Sequence, residues 1–413
     1  MINQAIGHRV YTYQYLTAVI IYVLSLFQPL AILSILLIYS LIGNGIYRPT
    51  PAFRSYMILL CSVCITMLAV INMSKINESD LINYVDNFLD SGRYGLLETL
   101  SHLKKPTESM YTVYTWLIYH LLGRDQIIFK FITTLIIYVF LSIATFTFCI
   151  KVTNLKGLTI ATLIITLFNP YIFSLSLHVI RQMLAVSIFV YVLVEYCLLR
   201  KKNWILIVSC PFIHTMSLLF VILLFIPILR KPIKGNLVGY GIVLLTLASI
   251  KIISSYFLSF SFLSASQVSY ALSRAASETG YDLEPASFLA KMLALSILLC
   301  SFYLGQYKIE KCNEGSIAYG LRHLYNISMM GAFFVLLNTN ISEVFTRFLM
   351  FLYPFIPFIF CGLLMNTRFK TGFYISISFI VVFVFIKLVE NGVWTYQNLY
   401  EVFTSGYVYL LLS

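Results

Sequence analysis

Apolar runs of bilayer-crossing length recur along the whole chain, and this recurrence restricts the fold more than any other feature. A membrane-spanning helix needs about 20 mostly apolar residues. Runs of that kind stand at about 11–43, 54–73, 126–150, 157–175, 182–199, 235–260, 289–307, 321–338, 344–365 and 372–389. The 413 residues are 60% hydrophobic and 11% charged, against roughly 45–50% apolar and about 25% charged in a soluble domain. No single water-soluble core absorbs that excess, which excludes a soluble enzyme. Short alternating strands separated by turns, the pattern of an outer-membrane barrel, are absent. The expected fold is all-α, a polytopic integral membrane protein forming one membrane domain over 1–413, with roughly 10–12 transmembrane helices.

The formal net charge of +12 comes from 28 Lys and Arg against 16 Asp and Glu. The basic residues sit mostly in short links between apolar runs, where they set orientation and meet anionic lipid rather than nucleic acid. Lys151 with Lys156, Arg200-Lys201-Lys202, Lys308 with Lys311, and Arg368 with Lys370 mark four such links as cytoplasmic. Arg230, Lys231 and Lys234 follow one apolar segment after Lys202. A single helix through 203–229 would place one of these clusters outside. A broken or re-entrant hairpin turning near Pro211–His214 keeps both inside, and such backbone is tolerated at membrane depth where protein or a wet cavity surrounds it. The Cys61-x-x-Cys64 pair has no companion pair or His cluster, so neither zinc nor any other cofactor is expected. No disulfide and no cleavable signal peptide are expected either.

This sidedness puts 74–125, 261–288, 339–343 and 390–413 on the outer face, and with them thirteen of the sixteen acidic residues. Seven of those acids fall within 74–125. Loops longer than about 12–15 residues are usually functional or disordered. This one carries Leu81, Tyr84, Phe88 and a helical pattern from Thr107 to Leu122, which predicts a large ordered loop with an amphipathic helix lying on or dipping into the membrane.

Three titratable or basic residues then stand at the outer ends of apolar helices, where charge is expensive. Arg181 follows Leu177-His178-Val179-Ile180, His214 sits at the hairpin tip, and Arg347 lies in Glu343-Val-Phe-Thr-Arg347. Either arginine alone would serve as an interfacial anchor that snorkels to the surface, and His214 alone as a structural histidine. Together, beside an acid-rich loop, they point to a site. A guanidinium is a planar fork of donors matched to phosphate oxygens and stays charged, which suits a lipid-linked diphosphate at this depth. Asp80 and Tyr84, four apart, share a helix face, and Glu108 opens the amphipathic helix, where a carboxylate also suits the macrodipole. Tyr111, Tyr114, Trp116 and Tyr119 fit either sugar stacking or an interfacial aromatic belt. A carboxylate beside a sugar hydroxyl is the general base that glycosyl transfer requires.

In this order the residues resemble the EpsG family. The likeness rests on Asp80-x-x-x-Tyr84, Glu108, Ile180-Arg181-Gln182-Met-Leu-Ala185, Lys201-Lys202, Ile213-His214-Thr-Met-Ser217, and Arg347 with Tyr353, and runs from about 70 to 365. It departs at Lys75, where an Arg is expected before the Asp. The resemblance implies a Wzy-type O-antigen or exopolysaccharide polymerase of the bacterial inner membrane, metal-independent and working on its periplasmic face. A glycan on undecaprenyl diphosphate would be joined to an incoming lipid-linked repeat unit. Chain-length regulator and flippase would be its protein partners. Arg181 and Arg347 would hold the donor diphosphate, and His214 or Asp80 would take the acceptor proton. Tyr84 and Glu108 would shape the sugar site, with Gln182, Tyr353 and Lys75 as further substrate contacts. A flippase for lipid-linked oligosaccharide is the alternative from another class, although the paired broken helices of transporters have only one counterpart here, at 203–229. An O-antigen ligase is the other alternative.

Overall fold

A computed structural model describes residues 19–25, 51–93, 95–101, 109–258, 287–309, 315–339, 342–367, 369, 371–390, 392 and 394. Helices α1 (Pro51–Met73), α2 (Asp80–Asp90), α3 (Leu96–Ser101), α4 (Ser109–Leu122), α5 (Gln126–Val152), α6 (Lys156–Leu167), α7 (Pro170–His178) and α8 (Ile180–Val194) make up the first half. They are followed by α9 (Trp204–Ile213), α10 (Ser217–Phe225), α11 (Leu237–Leu258), α12 (Phe288–Tyr303), α13 (Gly315–Leu337), α14 (Ser342–Leu352), α15 (Ile356–Leu364) and α16 (Thr371–Glu390). Among the described residues seven helical segments are long and apolar enough to cross a membrane: Phe53–Met73, Gln126–Val152, Lys156–His178, Ile180–Leu199, Phe288–Lys308, Val344–Leu364 and Gly372–Glu390. The chain is a multi-pass, all-α membrane protein. Most of the first apolar run, and the expected second loop up to 286, lie outside the described residues, as does Glu108.

The chain divides into two compact units, one of Met1–Asp90, Ile118–Ile180 and Leu364–Ser413, the other of Ser91–Leu117 and Arg181–Leu363. In the first, α5 packs on α1 and α6, and α6 on α16. Every residue of α6 from Leu158 to Leu167 is buried, so its threonines must satisfy their hydroxyls internally. Thr162 and Thr166 donate to the carbonyls one turn back at 2.7 and 3.0 Å, and Thr166 also meets Thr145 of α5 at 3.1 Å. Phe168 and Phe173 close this core against Phe385 at ring distances of 5.3 and 4.9 Å. Asn169 interrupts the span: its side chain caps α7 by accepting from Tyr171 and Ile172 N–H at 3.0 and 3.2 Å, with Pro170 as first helical residue, where its missing N–H costs nothing.

The second unit is organised around α13, which packs on α12, α14 and the π-helical turn Glu195–Leu199 that ends α8. Between them the 203–229 segment folds back on itself. Helices α9 and α10 are separated by His214–Met216, and Trp204 at the start of one stacks on Phe225 at the end of the other, 5.5 Å apart and within 6° of parallel. Close approach of α10 to α13 needs Gly331, where an added Cβ would lie 2.7 Å from the Phe220 ring.

The 74–125 segment is helical over α2, α3 and α4. α2 docks through Leu81, Tyr84, Val85 and Phe88, with the Phe88 ring stacked 4.5 Å from Phe129. In α4 the buried face is Tyr111, Thr115 and Ile118, while Met110, Leu117 and Leu121 of the apolar stripe point away from the protein. An apolar stripe left uncovered by protein is the face a lipid surface takes.

Candidate active site

The candidate residues fall into two groups, one in each unit. In the first unit, the last turn of α1 carries Asn72, which is fully buried and donates to Thr134 Oγ1 at 3.1 Å and Ser176 Oγ at 2.8 Å. Its side-chain Oδ1 accepts from Trp394 Nε1 at 3.1 Å. Lys75 follows in an extended turn, bridged to the Trp394 backbone. Its Nζ donates to the Ser174 carbonyl at 2.8 Å and lies 5.4 Å from the Trp394 ring centre, while Lys130 Nζ donates to the Lys75 carbonyl at 2.6 Å. Burial pushes the Lys75 ammonium down to about 8, helped by the Lys130 charge and opposed by Glu78. The ammonium is thus engaged by a backbone carbonyl and an indole face.

Ser79, with φ of 51°, turns the chain into α2 at Asp80. Asp80 and Glu78 are half-buried and lie within electrostatic reach of His178, the last residue of α7, as does Lys75. Asp80 thus opens its helix beside an imidazole. Tyr84, one turn on, points into the packed face of α2.

The second unit holds Arg181, Gln182, His214, Arg347 and Tyr353. A break at Val179 (φ −128°, ψ 61°) separates α7 from α8 and sets Arg181 in the first turn of α8. Its guanidinium lies 5.9 Å from the ring centre of Tyr111, within cation–π range. Gln182, 1% exposed, donates through Nε2 to the Arg347 carbonyl of α14. Lower down, Phe220 of α10 packs on Phe189 of α8 at 5.7 Å and stacks on Phe351 of α14 at 4.9 Å and 7°.

These contacts fix helix directions. Gln182 and Phe189 in α8 are matched by Arg347 and Phe351 in α14, and Phe189 and Tyr196 are matched by Phe220 and Phe225 in α10. The three helices run parallel and begin at one end of the unit. His214, 6% exposed, sits between the half-helices at that same end; its carbonyl accepts from Ser217 N–H and Oγ at 3.0 and 2.8 Å. Each helix start carries about half a positive charge and N–H groups that receive anions. Arg181 in the first turn of α8 and Arg347 in the second turn of α14 add their charge to this end. Tyr353 opens the short turn Tyr353–Phe355 below α14 and is half-buried.

Two participants were not singled out by their sequence. Tyr111 had been one aromatic among four, and only its packing under Arg181 distinguishes it. His178 was legible as a neighbour of Arg181, but its facing Asp80 depends on a fold that returns α2 to α7. Among the described residues no three His, Cys, Asp or Glu side chains come together as a metal site.

No curated protein and no solved structure matches the chain. The model of the EpsG family matches residues 57–401, a stretch that includes both groups of candidate residues. A multi-pass helical protein with this match belongs to the EpsG family of Wzy-type polymerase-like membrane proteins.

Proposed function

We propose that the protein is a polysaccharide polymerase that joins undecaprenyl-diphosphate-linked O-antigen or exopolysaccharide repeat units on the periplasmic face of the bacterial inner membrane. The observation that supports this reading is the hydrogen bond from Gln182 to the Arg347 backbone, which ties the arginine-bearing segments of α8 and α14 to each other in the second unit. Two guanidinium forks acting together would suit a diphosphate better than a single phosphate.

In the reaction the acceptor sugar hydroxyl attacks the anomeric carbon of the donor glycan. The bond between that carbon and the diphosphate oxygen breaks, and the lipid diphosphate leaves with the electron pair. Arg181 and Arg347 stabilise the charge that grows on the leaving group, a term that is usually the largest in such chemistry. The acceptor proton passes to His214. Glu108 and Tyr353 shape the sugar site, and Gln182 positions Arg347. Chain-length regulator and flippase act on the same lipid-linked material.

Arg181→Ala should slow polymer formation by about 10²–10³-fold, leaving single-repeat product on lipid. Arg181→Lys should rescue poorly, because the fork is lost. Normal chain lengths in a normally abundant Arg181→Ala protein would refute the assignment. Purified protein given lipid-linked repeat units should build a ladder unaided; translocation without elongation would mark a flippase, and transfer only onto a lipid-A acceptor would mark a ligase.

A further inference from the structure

The parallel helices α8 and α10 begin at the cationic end described above; where they finish, the second unit contains a different cavity, of about 430 Å³. Arg200, Lys202 and Arg230 line it together with Tyr196, Tyr319 and His323, and no carboxylate among the described residues does. Glu195, nearest in sequence, accepts a hydrogen bond from Tyr191 instead. Three cations around one half-open cavity repel one another, an arrangement that a bound anion relieves.

Arg230 and His323 are held in place. Arg230 donates to the Tyr196 hydroxyl and lies 5.2 Å from that ring's centre, while its Nε is buried with no hydrogen-bond partner among the described residues. His323, 1% exposed, contacts Cys197 Sγ through Nδ1 at 3.5 Å. Gly320 admits no side chain, since a Cβ there would lie 2.0 Å from the Cys197 carbonyl, so α13 approaches the π-helical turn closely and closes the wall.

Arg200 supplies an independent indication. It ends the π-helical turn in the left-handed conformation, φ 56° and ψ 23°. Glycine usually fills that position because it adopts the conformation without strain. A basic side chain suits a helix C-terminus, but Lys201 and Lys202 already provide that charge. An arginine kept in a strained backbone position, facing a cationic cavity, indicates use of the guanidinium itself.

We propose that this cavity binds a phosphate group, presented by an anionic membrane phospholipid or by a soluble phosphate. Basic pockets between membrane helices hold anionic head groups, and arginine forks are matched to phosphate oxygens. The full-length protein, purified in phosphatidylcholine nanodiscs, is titrated with short-chain phosphatidylglycerol, with inorganic phosphate, and with further phosphatidylcholine as control. Thermal melting and native mass spectrometry serve as readouts. Phosphatidylglycerol or inorganic phosphate should bind and raise the melting temperature, and phosphatidylcholine should not. Saturation by inorganic phosphate that displaces the lipid identifies the soluble source; retention of the lipid identifies the membrane source. Arg230→Gln and Lys202→Gln should each weaken binding by about tenfold. Arg200→Gly should melt at or above the wild-type temperature without ligand and lose most of the ligand-induced rise, so a folding defect does not imitate the result. No shift with either anion, or an undiminished shift in all three variants, overturns the proposal.

Discussion

Replacing Gln182 by Leu separates positioning from stability at the proposed site. The wild-type amide donates one hydrogen bond, through Nε2 to the Arg347 carbonyl, while Oε1 is buried with no hydrogen-bond partner among the described residues. Arg347 lies within α14, Ser342–Leu352, so its carbonyl keeps the helical bond from the residue four further on when the amide is removed. The lost side-chain bond therefore costs about 0.5–1.5 kcal/mol. Removing the unsatisfied Oε1 from a residue that is 1% exposed returns roughly 1–3 kcal/mol. Leucine fills nearly the same volume, so the two changes offset and thermal stability in micelles should stay within about 1 kcal/mol of wild type or rise. Activity should behave differently, because the tie between the Arg181 and Arg347 helix starts is gone. A displacement of about 1 Å at a reacting centre costs about 10²-fold. Polymer ladders from lipid-linked repeats at matched protein concentration should show that drop with the melting curve unmoved. Full activity would refute the positioning role. A stability loss well beyond 2 kcal/mol would show instead that Gln182 is a structural staple, and the activity change would carry no mechanistic meaning.

Two further outcomes follow from the first unit. Lys75 is held down to about 8 from an ordinary 10.5, so between those values the unfolded chain binds more protons than the folded one and stability rises with pH. Lys75→Met should flatten that rise in melting curves taken across the window; an unchanged slope would locate it in another group. Asn72→Leu strands Trp394 Nε1 and removes the donor to Thr134 and Ser176. It should destabilise by about 2–4 kcal/mol, read by thermal melting, whereas a loss below about 0.5 kcal/mol would mean that water replaces the amide.

Much of the architecture was legible because membrane insertion is governed by local composition. The apolar runs at 126–150, 182–199, 289–307 and 372–389 match spans Gln126–Val152, Ile180–Leu199, Phe288–Lys308 and Gly372–Glu390, since a run of that length has few other ways to satisfy its backbone in lipid. The interruption within 203–229 could be inferred from basic links at both ends, and its tip from Pro211 and His214. Local logic does not reach the contacts of Lys75, whose ammonium meets the Ser174 carbonyl and the Trp394 ring, which the chain brings from 99 and 319 residues away.

By itself the sequence determined that this chain lives in a bilayer, roughly where it crosses, and which charged residues sit at helix ends, because hydropathy and propensity act over a single segment. The tertiary structure alone decided that Gln182 grips the Arg347 backbone, that Tyr111 lies beneath Arg181, and that Arg200, Lys202 and Arg230 surround one cavity. Those relations depend on helix direction and rotation, set by side-chain packing such as Phe220 against Phe189 and Phe351. Lipid tails are as apolar as the helices themselves, so hydropathy carries no record of which face meets which neighbour.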